Sequence, residues 1–376
     1  MRYIFVLFLV ILLAGCTGGN NTCGDGVCDP VEREKGVCPE DCGQNPVPSR
    51  VTVYIGFMVH LEGWNNEETN QDIFERHAEA ARQLAALFEE YGAKATFEAR
   101  PEFVRACNVW NDNVLKELHM RGHGIGVHAD AGGLANKQGL TQQEFTLKIA
   151  EMKKEMELIT GLEIRHVSGI CSELDWVKAA INAGYKFTSG SVGYCAMSLP
   201  VGKRPAEYRN CLNPGMCHGV FPVDLKERIT PWRASTGKNW VEHDPNGELV
   251  ILAPSGGLLY LGEEKGKDTG RFTQEDIDAF MDMVDEALVL AEPGRVNILY
   301  VGLSIGNPQL DEDMYRKWFN ALQPYIDSGQ VEWRTFPQMY DAYIQWETQR
   351  QKKFQFQNRN PLWKGAPNYR IFLILI

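Results

Sequence analysis

Residues Tyr91 to Glu98 read YGAKATFE, and Arg121 to His128 read RGHGIGVH. Each stretch opens where one element ends and closes as the next. A helix predicted over 71–91 carries Phe74, Ala78, Ala81, Leu84 and Phe88 at spacings of three and four, which gives it one apolar face. Gly92 ends it, since glycine takes the left-handed backbone that closes a helix. Lys94 to Glu98 is then a strand. A shorter helix over 112–121 stops at Gly122, and Gly124 to His128 is the strand that follows. Helix, glycine, strand is the phrase to look for on either side.

It recurs. Upstream, Val51 to Val59 (VTVYIGFMV) is β-branched and apolar, a buried strand. Downstream, Thr141 to Glu144 (TQQE) forms a capping box. The helix it opens has Phe145, Ile149, Met152, Met156 and Ile159 on one face and ends at Gly161. Strand Ile164 to Ser168, a helix from a Ser172 cap to Asn182, and strand Tyr185 to Thr188 come next. Later follow strand Leu249 to Ala253, a helix from Thr273 to Ala291 and strand Val296 to Leu303. A helix over 311–327, strand Val331 to Thr335 and a helix over 337–350 complete the series. Strands alternating with helices predict a parallel sheet covered by helices. Seven or eight such units over roughly 300 residues favour an irregular (β/α)7-8 barrel. The open doubly wound sheet is the alternative, and the sequence offers it no glycine-rich phosphate loop. The barrel is assigned to 51–350. Residues 190–245, rich in Gly, Pro, Cys and Trp, are an irregular insertion over one barrel end, and 351–376 is a tail.

The amino end has a different character. A basic start at Arg2, an apolar run from Tyr3 to Ala14 and Leu13-Ala14-Gly15-Cys16 fit a secretory signal over 1–15. The segment resembles the lipobox of prokaryotic lipoproteins, which implies lipid attachment at Cys16 and a mature protein held at the outer face of the cell membrane. A plain signal peptide is the alternative. Residues 16–22 read as a tether. Residues 23–43 (CGDGVCDPVEREKGVCPEDCG) hold four cysteines and no apolar core, so disulfides or a metal must staple them. Two disulfides are favoured over a calcium site on Asp25, Asp29, Glu40 and Asp41, whose spacing is not that of an EF-hand loop. Residues 44–50 are a linker. Export implies an oxidising compartment. Of the ten cysteines, Cys107, Cys171, Cys195, Cys211 and Cys217 lie in the barrel; their odd number leaves at least one thiol free or buried. The net charge of −11 argues against a nucleic-acid partner.

In α/β barrels the working residues sit at the carboxyl ends of strands. The first strand exits at His60, Leu61, Glu62, Gly63 and Trp64, the second at Glu98 to Arg100, the third at His128 to Asp130, the fourth at Arg165 to Gly169. Imidazole and carboxylate at neighbouring exits are the ligand types zinc takes.

The quoted stretches carry a specific likeness. YGAKATF resembles the "yGvkATFF" strand of polysaccharide deacetylases, the NodB-homology family. Leu115 to Leu118 with RGHGIGVH resembles its "l..l...GHEIGnH" segment, and Ala179 to Tyr185 its "aa..aGy" segment. The likeness runs in order over about 51–350. It implies an irregular barrel that hydrolyses acetyl groups from sugars, with a metal held by one Asp and two His and a second Asp as base. Position by position, Glu62 replaces the ligand Asp, and the base falls on Leu61, which takes no proton. The second ligand His falls on Gly132, so Asp130 is the substitute. Arg165 survives from the R-x-P-Y motif. The late Leu-x-His strand falls on Leu249 to Pro254 and has no His.

The resemblance thus implies Glu62, His128 and Asp130 as metal ligands, zinc as the cation, His60 as general base and Arg165 as a group that orients a carboxylate or stabilises an oxyanion. Two functional readings stand: a metal-dependent deacetylase of cell-surface or extracellular carbohydrate polymer, or an inactive, lipid-anchored carbohydrate-binding protein on the same fold. A third, a glycoside hydrolase, requires Glu62 and Asp130 to face each other as a carboxylate pair. Among Trp64, Trp110, Trp176, Trp232 and Trp240, one or two are expected as sugar platforms; Trp64, Asp175 and Trp176 are the substrate-contact candidates. Glu98 is expected in a salt bridge with Arg100 or Arg165, His123 in a hydrogen bond beneath the mouth, and His77 and His119 on exposed helix faces. His218 and His243 belong to the insertion, and either could reach the mouth.

Overall fold

The strand-forming runs keep a two-residue period, and that period sorts their side chains between a barrel interior and a surrounding layer of helices. The computed structural model describes residues 51–221, 224–261, 271–305 and 311–359. The signal segment, Cys16, the tether, the Cys-rich module and the linker lie outside the described residues, as does the tail from 360 onward.

The strands are β1 (Val53–Leu61), β2 (Thr96–Ala99), β3 (Gly124–His128), β4 (His166–Ser168), β5 (Phe187–Thr188), β6 (Trp232–Ala234), β7 (Leu249–Ile251), β8 (Gly256–Gly257), β9 (Asn297–Ser304) and β10 (Val331–Trp333). The helices are α1 (Gln71–Glu90), α2 (Pro101–Val109), α3 (Val114–Met120), α4 (Gly132–Gln138), α5 (Gln142–Thr160), α6 (Trp176–Asn182), α7 (Leu225–Arg228), α8 (Gln274–Leu290), α9 (Glu312–Asp327) and α10 (Phe336–Arg359). Strands run β5-β4-β3-β2-β1-β9 in parallel. The ring is completed by one stretch of chain that changes partner: β7 pairs with β5, and β8, a few residues on, pairs with β9. Between them, Leu252 N donates to Thr188 O at 3.0 Å and Ser255 N to Tyr300 O at 2.8 Å. The Tyr300 hydroxyl donates to Leu252 O at 2.8 Å, closing the gap from inside. At the foot, β10 pairs with β1 and β6 adds antiparallel to β7. This is an irregular (β/α) barrel.

On β1, Val53, Ile55, Phe57, Val59 and Leu61 are fully buried beneath the helices, against Phe74, Phe88, Trp318 and their neighbours. The alternate residues look inward. Gly56 on β1 and Gly124 on β3 face Phe336, Pro337 and Met339, so the start of α10 plugs the foot of the barrel. Nearer the mouth the inward positions turn polar: His60, Glu98, His128, His166 and Ser168.

The sequence places most of these elements within a few residues. Thr141 and Glu144 form the capping box of α5, and Gly161 closes that helix with φ 71°. Some details differ. The helix after Ser172 starts at Trp176, with Asp175 as its cap. β4 starts at His166, which leaves Arg165 before the strand. The last helix continues to Arg359, into the segment assigned to the tail. Disulfides join Cys171 to Cys195 and Cys211 to Cys217, and Cys107 is free and buried.

Candidate metal centre

β1 and β3 lie on either side of β2, so their ends open onto the same mouth. His60, the inward residue near the end of β1, and His128, the last residue of β3, stack their rings with centroids 3.8 Å apart. Glu62, just past β1, reaches between them. Its Oε1 is 3.3 Å from His60 Nδ1, and its Oε2 is 3.1 Å from His128 Nε2. Ser304, at the end of β9, donates to Glu62 Oε1 at 2.6 Å and steadies the carboxylate. One donor atom from each of His60, Glu62 and His128 fits within 4.8 Å of the other two.

Behind this trio lies Glu98, fully buried on β2. Its Oε2 meets His60 Nε2 at 3.1 Å and also accepts from Ser168 Oγ. Its Oε1 accepts from Ser189 Oγ at 2.8 Å and lies 3.2 Å from His166 Nε2. Ser168 Oγ is in turn 2.8 Å from His128 Nδ1. The register explains the room for so many groups. Glu98 is level with Gly126 on β3, where the missing side chain leaves space for the His166 ring.

The charges are mutually supporting. Burial pushes the His60 pKa down, but hydrogen bonds to Glu62 and Glu98, with their negative charges, overcome it and hold it at about 9. Burial opposes the Glu62 charge, yet His128 and His60 keep its pKa far below the usual carboxylate range. Burial likewise opposes the Glu98 charge, and His166, His60 and Ser168 outweigh it, setting the pKa at about 2. Burial keeps His166 neutral, with a pKa of about 4.

The chemistry suits a cation. Two imidazoles and a carboxylate are a zinc-type donor set. Each imidazole turns one nitrogen toward Glu62 while its other nitrogen is held from behind, the arrangement seen for metal-binding histidines.

Asp130, expected as a ligand, lies outside the trio. β3 ends at His128, and Asp130 adopts φ 42°, so the alternation that would align it with His128 no longer applies. Its exposed carboxylate pairs with Arg100 at 3.5 Å. His60, expected as a base, stands with the ligand atoms instead. Arg165 is at the opposite end of the barrel from the mouth. Its guanidinium grips Asp341 of α10 at 2.7 and 3.1 Å and lies 5.3 Å from the Tyr340 ring centroid. Trp64 is near the mouth, but its ring stacks on His77 at 5.0 Å, with the Arg76 guanidinium 5.7 Å from its centroid, and its indole N–H donates to Ile305 O. Trp176 is 1% exposed and donates to Ser198 Oγ at 3.0 Å, so it offers no sugar platform. Asp175 caps α6 and accepts from Gly237 N at 2.7 Å and from Thr236 Oγ1. It works inside the fold. His77 is buried against Glu67, 2.5 Å away, and is not a surface residue. Glu98 makes no salt bridge to Arg100 or Arg165. His123 accepts from Ala95 N at 3.1 Å. His218 comes within electrostatic reach of the mouth: burial lowers its pKa, and His60, Glu62, His128 and Asp130 all act on it. His243 instead accepts from Arg233 N, away from the trio.

Comparison with solved structures agrees with the architecture. The chain superposes on a structure described as a "probable polysaccharide deacetylase" from Pseudomonas aeruginosa PAO1, with a TM-score of 0.50 and 12% identity, over 80% of this chain and 93% of that one. A Mycobacterium smegmatis structure described in similar terms gives 0.49 and 13%, over 79% and 92%. The allantoinase Puue gives 0.48 and 11%, over 79% and 92%. No family profile matches the sequence. No protein of curated function matches it either. The superposition on the Pseudomonas aeruginosa structure gives this chain the polysaccharide deacetylase, or NodB-homology, fold.

Proposed function

We propose that this chain is a metal-dependent hydrolase of the polysaccharide deacetylase type, removing acetyl groups from cell-surface or extracellular carbohydrate polymer. One observation carries the reading: Glu62, His60 and His128 converge at the mouth of a deacetylase-type barrel. Zinc is the cation this donor set suits best. When bound, it supplies Lewis acidity and lowers the pKa of its water toward about 7. Glu62, His60 and His128 would hold it, while Glu98 and Ser168 hold the two imidazoles. His60, pinned between two carboxylates, is a ligand and not a free base.

The inactive, carbohydrate-binding reading draws on what surrounds the trio. Leu61 is buried where the family places its base, and β7 and the residues after it contribute no imidazole. The glycoside hydrolase reading loses its support, because Glu62 is engaged by both imidazoles and Asp130 by Arg100. Leu13-Ala14-Gly15-Cys16 supports export and a lipid anchor, and the barrel's two disulfides fit an oxidising compartment.

The test is elemental analysis of the purified full chain together with acetate release from acetylated oligosaccharides. The expected result is one zinc per chain, lost in Glu62→Ala and His128→Ala along with hydrolysis. Stoichiometric zinc without acetate release selects the binding protein. Absence of zinc after loading refutes the metal centre.

A further inference from the structure

We infer that Glu98 is the positioning residue of this site: one buried carboxylate decides which nitrogen each of the two imidazoles presents to a cation. The inference rests on the metal-centre reading and concerns a residue that never touches the cation.

The argument is a count of protons. An ionised carboxylate only accepts, at about four lone-pair positions. Glu98 has three hydrogen-bonding neighbours, His60 Nε2, Ser168 Oγ and Ser189 Oγ, and His166 Nε2 lies 3.2 Å from its Oε1. Because the carboxylate only accepts, all three must act as donors. Each serine has a single hydroxyl proton and spends it on Glu98. Ser168 Oγ can then only accept from His128, which fixes a proton on Nδ1 and makes Nε2, 3.1 Å from Glu62, the nitrogen that gives up its proton when a cation binds. Ser189 Oγ can only accept from His166 Nε2, 2.8 Å away. His166 Nδ1 is then bare, in keeping with its lack of any hydrogen-bond partner. His60 donates from Nε2 directly, so the nitrogen it has left for a metal is Nδ1, 3.3 Å from Glu62.

The two imidazoles therefore bind through different atoms, Nδ1 of His60 and Nε2 of His128. One residue enforces both choices, directly in one case and through a hydroxyl in the other. Water cannot substitute, because Glu98 is fully buried. A neutral amide of the same shape would bring two donors of its own into a ring of donors and force at least one imidazole to turn or to move its proton.

The experiment is zinc competition against a chelating dye, on the full chain and on Glu98→Gln, Glu98→Asp and Ser168→Ala, with a melting curve for each. Losing a partner behind a metal-binding histidine weakens metal affinity by roughly 10–100-fold. Glu98→Gln is expected to lose that much or more, and Ser168→Ala, which cuts only the His128 arm, less. Glu98→Asp keeps the acceptor and is expected to fall between wild type and Glu98→Gln. In the zinc-loaded wild type, nitrogen-15 spectra should show His60 protonated at Nε2 and His128 at Nδ1. Folded Glu98→Gln with wild-type affinity, or the opposite protonation pattern, overturns the inference. Should Glu98→Gln not fold, Ser168→Ala with unchanged affinity overturns it. A wild-type chain that takes no zinc defeats the metal-centre reading itself, a different result from zinc bound equally by every variant.

Discussion

Gly126→Ala is a one-carbon change with a calculable effect. A methyl built on Gly126 would meet His166 Nδ1 most closely and lie 2.9 Å from its Cγ and 3.0 Å from its Cε1. Carbon contacts relax at about 3.5–4.0 Å, so the ring must retreat by roughly 1 Å. It has nowhere to go. Phe187 stacks on it at 4.7 Å and Phe336 meets it edge-on at 5.6 Å. Overpacking of this kind costs about 1–3 kcal/mol. The retreat also pulls His166 Nε2 from Ser189 and Glu98, and a buried polar group left unpaired costs about 1–3 kcal/mol more. The sum is about 2–6 kcal/mol, which lowers the melting temperature of a chain this size by roughly 5–20 °C. Denaturant titration of a double-mutant cycle isolates the cause. In a His166→Ala background the ring is gone, and Gly126→Ala should then cost under about 1 kcal/mol. If Gly126→Ala alone stays within about 0.5 kcal/mol of wild type, or costs the same with and without the His166 ring, the packing argument is wrong.

Two other outcomes follow from the geometry. His60 has a folded pKa of about 9 against 6.5 for the free side chain, so its contribution to the stability of the metal-free protein is complete below pH 6.5 and disappears as pH rises through about 9. That contribution is about 3 kcal/mol, and denaturant midpoints between pH 7 and 10 should reveal it, with His60→Phe showing a flatter profile. Arg165→Ala, at the barrel foot, should leave zinc affinity and turnover unchanged and cost no more than about 1 kcal/mol, since the Asp341 it pairs with is exposed. A large fall in turnover without unfolding would return Arg165 to the site.

How much of this could be read in the sequence depends on the range of the interaction. Periodicity along one chain marks the helix faces and strands, and glycine after each helix marks their ends. It also puts Glu62, His60 and His128 at strand exits. Relations between strands are another matter. Glu98 shares a strand face with Thr96, and two-residue alternation could have turned it inward. That it stands level with His60 is a property of the β1–β2 register, which no single strand encodes. The nearby Arg100 offered a more obvious partner. Asp130 was misplaced because alternation was extended beyond the end of β3, into a residue with left-handed backbone. Arg165 was misplaced because it was counted among the exit residues of a strand that starts only at His166, two residues later than expected. In a parallel barrel a shift past the start of a strand moves a residue to the foot. His77 carried a usable signal: it follows Phe74 by three, on the apolar stripe of α1, and its burial there could have been foreseen.

The circumference of this barrel is of two kinds. Four adjacent strands, β1 to β4, form an unbroken wall that bears His60, Glu98, His128 and Ser168 and leads into Glu62, with Ser304 and Ser189 just beyond it on either side. Beyond β9, the facing arc is pieced together from strands of two or three residues, a partner change at Leu252 to Ser255 and a disulfide-tied insertion. Length changes confined to that arc would alter the width and contour of the opening and leave in place the register that sets His60 against Glu98.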